Sequence, residues 1–353
     1  MHKLFTSSFD ASIYLQQPDQ NAGRDEILEV GKLYYGSSKD IARALIKFDV
    51  ANMGIPSGSI VYLNLKSSQA EEIPLEYTIY ANAVSQSWSM GTGTKFDNIT
   101  SDGVSWKYRN GVNTWQDNVT AGTAVFTPGT TGSANAEGGT WYTASQASQS
   151  YNYEDADIRI NVTGVVNRWL SGSIPNNGFI VHHGLENEEN ALDYGVLKFF
   201  SKETNTIYEP KLEVVWNDTS FVTGSLLPVT GSAQDDYKVI ITNLKTEYSK
   251  DSRIKIRIKG RDMFPLKSFS TTFEYDQSKY LPTTSYYQLE DYITDDVIYP
   301  FGEYTKISCD STSNYFIIDL NTLPLYRTYR LKLKIIDGEI STIIDDKLIF
   351  QIV

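Results

Sequence analysis

Apolar and polar residues alternate with a period of two along most of this chain, the pattern of strands with one buried face. The spacing predicts an opening strand over residues 9–15, a second over 27–31 and a third over 42–49. In the third, Ala44, Ile46 and Phe48 share one face while Arg43, Leu45, Lys47 and Asp49 share the other. Further runs lie at 60–65, 75–82, 158–162, 179–184, 196–203 and 208–216, punctuated by Gly, Pro and Asn. Short strands at that spacing predict a sandwich with Greek-key connections.

One stretch leaves the period of two. After Ile158, Ile160 and Val162, the residues Val165, Val166, Trp169 and Leu170 recur at helical spacing. Thr163 is the expected N-cap. Gly172 is the expected left-handed stop, and Asn176-Asn177-Gly178 a tight turn. One short helix among strands reads as a lid on the sandwich, so Phe48, Trp169, Leu170 and Trp216 are expected in its core. Asn187-Glu188-Glu189-Asn190 reads as a polar turn.

The last third repeats the alternation at 237–244, 253–259, 272–275, 286–291, 315–320, 329–336 and 347–353, with Asp337-Gly338 as a hairpin turn. The expected class is all-β. An N-terminal jelly-roll sandwich (1–217), with one short helix and a long loop insertion (85–152), is followed by a linker (218–234) and a C-terminal β-sandwich (235–353). A length of 353 residues suits two domains.

Composition narrows the function classes. Hydrophobic residues make up 41% of the chain and aromatics 13%, enough for packed cores. The formal charge is −12, with 15 basic against 24 acidic residues in 1–216 and 16 against 19 in 217–353. That balance opposes an electrostatic grip on nucleic acid or on an anionic membrane. The cations alternating with isoleucine over 253–259 read as the solvated side of a strand, where they also discourage edge pairing. The longest apolar run is about five residues, so no membrane insertion is expected. No apolar leader with a small-residue cleavage site opens the sequence, which points to synthesis in a cytoplasm. Cys309 is the single cysteine and cannot form an internal disulfide.

Candidate chemistry is sparse. The insertion is rich in Gly, Ser, Thr and Asn and carries Trp88, Trp106, Trp115 and Trp141. A loop of that length is commonly functional or disordered, and four tryptophans weigh against disorder. The tryptophans are either anchors that pin the loop over the sandwich or a platform on which glycan rings stack. Glu154, Asp155 and Asp157 offer oxygen ligands for a structural Ca²⁺; no other cofactor is expected. A second acidic group, Glu186, Glu188, Glu189 and Asp193, shares one loop. His182 and His183, adjacent on a strand, point to opposite faces and cannot share a metal as an i, i+4 helical pair can. No nucleophile elbow, P-loop or paired-histidine zinc motif is present, so no enzyme is expected.

The ordered set of elements resembles the DNRLRE superfamily, a carbohydrate-binding-module-like jelly roll found in bacterial surface proteins and phage particles. The resemblance is carried by FDASIYLQQPDQNAGRDEILEVG, the R-x-L-x-K-F-D strand from Arg43 to Asp49, and the turn from Pro56 to Ile60. Trp88 before a Gly-rich stretch, DIRINVTGVVNRWLSG, NNGFIV and the closing FFSKE and EPKLEVVW complete it, so that it covers residues 1 to about 217. It implies a non-enzymatic β-sandwich; some members bind polysaccharide. The run YIT, IYPFGEYTKISCD, NYFIIDL, LYRTYRLKLKI and FQIV is similar to modules of tailed-phage structural proteins. Together these imply a virion component (tail, neck, baseplate or capsid-associated), made in a host bacterial cytoplasm. Its expected partners are copies of itself and other virion proteins. The alternative is an adhesion protein whose N-terminal domain holds a host surface polysaccharide.

Overall fold

Strand-forming alternation becomes antiparallel sheet almost throughout. A computed structural model describes residues 1–36, 38–71, 76–115, 125–126, 137–152, 157–229, 236–264 and 277–353. The chain divides into two compact units, Leu4–Val214 and Met1–Lys3 with Val215–Val353. The all-β, sandwich-like class expected from the sequence is the class observed.

In the N-terminal unit the strands are β1 (His2–Thr6), β2 (Phe9–Tyr14), β3 (Ile27–Tyr35), β4 (Ser38–Lys47), β5 (Ile60–Leu65), β6 (Ser67–Glu71), β7 (Glu76–Val84), β8 (Val125–Phe126) and β9 (Trp141–Asn152). They continue with β10 (Ile158–Asn161), helix α1 (Thr163–Leu170), β11 (Phe179–His183), helix α2 (Leu185–Glu189), β12 (Gly195–Phe200) and β13 (Lys211–Val215). One sheet runs β1-β13-β5-β10; the larger runs β6-β12-β3-β4-β11-β7-β9-β8, with β2 also paired to β4. Val61, Leu63, Leu65, Ile158, Ile160, Leu212 and Val214 of the smaller sheet are buried, as are Ala44, Ile46 and Phe179 of the larger. A core of this kind is what period-two strands produce when two sheets pack face to face.

β4 departs from that pattern. Ile41 through Ile46 are all buried, so the Arg43 and Leu45 face is covered as well. The cover is the insertion. Trp88, Val104, Trp106, Trp115 and Trp141 pack with Ala11, Ile13, Ile41, Leu45, Val84 and Ile180 as one apolar cluster, a third layer over the large sheet.

Helix α1 sits where the periodicity placed it, with Val165, Val166 and Trp169 buried. Trp169 packs on Phe179 at 4.6 Å between ring centroids, and Phe179 in turn meets Phe48. Two expectations need correction. Leu170 is 47% exposed, because it lies about 100° round the helix from Trp169 and falls off the apolar face. Thr163 is the first helical residue and not the cap: its hydroxyl accepts from Val61 N–H at 2.9 Å and tethers the helix to β5. Gly172 ends the helix at φ +72°. Gly178, at φ +87°, lies so close to β4 that a Cβ would stand 2.4 Å from the Ile46 carbonyl oxygen. The polar turn expected at 187–190 is instead the end of α2, with Gly184 O accepting from Asn187 and Glu188 N–H at 2.8 and 3.0 Å.

The C-terminal unit holds β14 (Tyr237–Ile241), β15 (Glu247–Tyr248), β16 (Arg253–Asp262), β17 (Ser285–Asp291), β18 (Val297–Tyr299), β19 (Ser308–Cys309), β20 (Asn314–Asp319), β21 (Thr328–Asp337) and β22 (Ile340–Ile352). Its sheets run β14-β16-β20-β19 and β15-β22-β21-β17-β18. The strand expected at 272–275 lies outside the described residues. Ile254, Ile256 and Ile258 of β16 are buried as their alternation requires, while Lys255 and Arg257 pair with Asp310 at 2.8 and 3.1 Å. β22 begins at Ile340, earlier than expected, and kinks at Lys347 (φ +54°), where Arg330 holds Asp345.

The expected linker is not a free tether over its described residues. Phe221 bridges Cys309 and Pro228 bridges Tyr280, since an extended chain offers backbone groups that a sheet edge can pair. Residues Met1–Lys3 also belong to this unit: the Met1 ammonium donates to Trp216 O, Asp218 and Tyr304 O at 2.7–2.8 Å. Trp216, expected in the sandwich core, is only half-buried and contributes through its backbone.

Candidate functional site

The strand pairing puts Arg43, Leu45, Ile180, His182 and Asn82 on one face of the large sheet, beneath the insertion. A guanidinium there would be costly without partners. Its Nε donates to Glu188 Oε1 at 3.1 Å and its Nη2 to Oε2 at 2.6 Å, a two-point grip. Its Nη1 donates to Gly138 O. The Trp106 and Trp141 rings lie 4.7 and 5.2 Å from the guanidinium carbon, close enough for the ring quadrupoles to attract the cation. Arg43 and Glu188 are 3% and 2% exposed. Gly138, at φ +80°, has no room for a Cβ, which would meet Arg43 Nη1 at 2.5 Å.

The histidines divide as their adjacency on a strand predicts. His182 packs at a tilt on Trp141 at 4.6 Å, donates from Nδ1 to the His183 carbonyl, and places Nε2 3.1 Å from the Asn82 amide oxygen. Burial, reinforced by the charge of Arg43, pushes its pKa down to about 3. His183 is fully buried between Tyr77 and Tyr194, and neither ring nitrogen has a hydrogen-bond partner among the described residues. Burial pushes it down to about 4. Both rings are therefore neutral near pH 7 and neither is poised for acid–base work.

Lys32, likewise buried, donates to Asn190 O at 2.7 Å and to Leu192 O, with the Tyr34 and Tyr194 rings nearby. Burial lowers its pKa. Tyr77 and Tyr194, which flank His183, also line a cleft of about 630 Å³ with Tyr80, Tyr151, Glu76 and Asn187, among others. Tyr77 and Tyr151 stack on each other at 4.9 Å, so one face of each ring is already covered.

Trp88, Trp106, Trp115 and Trp141 are all at most 8% exposed, and the platform reading is corrected on that ground. Their rings cover the sheet, and their polar edges point inward: Trp88 Nε1 donates to Asn177 O at 2.7 Å and Trp115 Nε1 to Ser105 O at 3.1 Å. Asn21 was missed in the sequence because it sits in a turn-like run. Its amide, wholly buried, donates to Met90 O and Val104 O at 2.7 Å and accepts from Gly93 N–H at 2.8 Å, pinning the insertion.

Of the suggested Ca²⁺ ligands, Glu154 and Asp155 lie outside the described residues. The Asp157 carboxylate accepts from Lys66 Nζ at 2.7 Å and from Ser67 N–H at 2.8 Å. Among the described residues no group of three or more His, Cys, Asp or Glu could hold a metal ion, and no helix is long and apolar enough to cross a membrane. Of the second acidic group, Glu188 is buried and faces Arg43.

No family model and no curated protein matches the chain. Among solved structures, it is similar to a DUF4785 family protein from Legionella pneumophila at 9% identity and a TM-score of 0.20. The alignment covers 100% of this chain and 64% of that one, so the chain spans less than two thirds of that protein's length. A likeness at this score carries no argument.

Proposed function

We propose that this chain is a non-enzymatic structural component of a tailed-phage particle, assembling with copies of itself and with other virion proteins. Its place is the virion, after synthesis in the host bacterial cytoplasm, and it needs no cofactor for this role. The observation that carries the reading is the apolar surface of the C-terminal unit. Ile340, Ile343 and Ile349 of β22, Leu325 and Tyr326 before β21, and Tyr292 and Ile293 after β17 are 40–75% exposed. They belong to one five-stranded sheet and the turns that serve it. Exposed apolar side chains strung along one sheet and its turns, with tyrosine among them, suit protein–protein contacts. The polar residues best suited to chemistry are meanwhile engaged in fixing the fold, as Arg43, Glu188 and His182 illustrate. Mass spectrometry and cryo-EM of purified particles test the proposal. Stoichiometric copies at a defined position are expected, and particles that lack the chain would refute it.

A further inference from the structure

Three strongly exposed apolar side chains belong to the insertion: Phe96, Ile99 and Val112 are 87%, 73% and 79% exposed. The backbone that carries them is firmly tied. Thr92 donates to Asp102 from its N–H at 3.0 Å and from its hydroxyl at 2.6 Å, which fastens the start of this loop to residue 102. The turn over residues 110–113 packs against the same place, since a Cβ on Gly111 would stand 1.8 Å from the Ser101 carbonyl oxygen. From below, Asn21 N–H donates to Thr100 O at 3.3 Å and Arg24 N–H to Gly93 O at 2.9 Å. Folding gains nothing from an apolar side chain held in water. A partner does gain, because side chains on a fixed backbone lose little further freedom when they are covered.

The same tip is acidic. Asp97 and Asp102 are exposed, and each accepts from a threonine hydroxyl at 2.6 Å, Asp97 from Thr94 and Asp102 from Thr92. Neither forms an ion pair among the described residues. Lys95, next in sequence to Phe96, does not balance them, because its ammonium is 2.6 Å from Glu29. A surface that fits this tip is therefore apolar and carries a cation of its own that is not already paired.

The outer face of the sheet formed by β17, β21 and β22 has that composition. Residues directly opposed on antiparallel strands share a face. Tyr286, Lys334 and Ile343 thus make one row, and Glu290, Arg330 and Ile349 another. Leu331, Leu333 and Ile335 take the other, buried face. Arg330 holds Asp345 at 3.0 Å and Lys332 holds Glu290 at 2.6 Å. Lys334, beside the Phe301 ring at 6.0 Å, makes no ion pair among the described residues. Two copies of this face would both bring an uncompensated lysine, whereas the insertion tip brings unpaired carboxylates together with apolar anchors.

We infer that the insertion tip of one copy docks on this face of the next, with Phe96, Ile99 and Val112 packing on Ile343 and Ile349 and the two aspartates facing Lys334. The inference rests on the self-assembly reading and makes its contact head-to-tail, between two different surfaces. The test is light scattering and sedimentation of the full chain, in which the wild type is expected to self-associate. A tip variant, Phe96→Ser with Val112→Ser, and a face variant, Ile343→Lys with Ile349→Lys, should each be monomeric. Their far-UV spectra should be unchanged, because all four positions are exposed. Mixed in equal amounts, the two variants should form a one-to-one dimer, since the tip variant keeps its face and the face variant keeps its tip. Phe96→Ser alone should weaken association about tenfold, the loss of one anchor. A tip variant that associates like the wild type, or a mixture that stays monomeric while the wild type associates, would overturn the inference and leave self-assembly standing. A wild-type chain that is monomeric at every concentration would remove the self-assembly reading, and the inference with it.

Discussion

Arg43 shows how a single side chain can set the character of a layer. A charge that is paired under tryptophan is tolerable, whereas a charge left alone there is not. Arg43→Met should therefore cost about 3–5 kcal/mol of stability in urea unfolding, and adding Glu188→Leu should restore most of it. Buried titratable groups make opposing demands on pH. Asp10, 1% exposed, has its pKa raised to about 7 by burial, above the unfolded value of about 3.9. Its contribution is most favourable below pH 4 and is lost as pH rises through 7. His182 and His183 are depressed below the unfolded 6.5, so theirs is present above that value and is lost as pH falls towards 3–4. The wild-type profile between pH 4 and 7 should be flattened by this cancellation. Asp10→Asn, which removes one arm, should gain on the order of a few kcal/mol near pH 8 and become visibly acid-labile in thermal melts. Cys309 is fully buried with its thiol pushed up to about 11, so a thiol reagent should label it only at the rate of unfolding.

Among elements, the regular strands were legible because a period of two is enforced by any sheet with one wet face. β16 illustrates this: its isoleucines point in, and its cations are solvated or paired. β4 was legible only in half, since nothing local to Arg43 and Leu45 announces that a segment from Trp88 onward will cover them. The same non-locality hid Glu188, which reads as surface acid until the strand that carries Arg43 is laid beside β11. Leu170 shows the opposite failure, a helical period read one residue too far. Of the four tryptophans expected on a loop over 85–152, Trp141 instead opens the strand β9, and for all four accessibility, which spacing cannot supply, decides between anchor and platform. Trp115→Ala should thus lower stability by about 3–5 kcal/mol, as truncation of a buried aromatic does. By contrast, Phe96→Ala should stay within about 0.5 kcal/mol of the parent in the same denaturation experiment.

For the whole molecule, the proposal places self-association on the sheet that contains β22. Ile343→Lys and Tyr326→Ser should shift light-scattering masses towards the monomer without changing the far-UV spectrum, since both side chains are more than half exposed. An oligomer that ignored both substitutions would move the contact elsewhere. The kink at Lys347 bears on what such an association can become. Over its described neighbours, the outer side of β22, a strand of thirteen residues, is paired only at Gln351 and Ile352, by β15, and the rest is an open edge bent at its acidic middle. A straight edge of that length would accept a fresh strand from any passing copy and grow without limit. Bent and charged, it interrupts the backbone ladder after a few residues, so the proposed assembly would use side chains on the sheet's face. In the proposed assembly a face contact of this kind would end growth wherever its symmetry closes, whereas an edge contact would not.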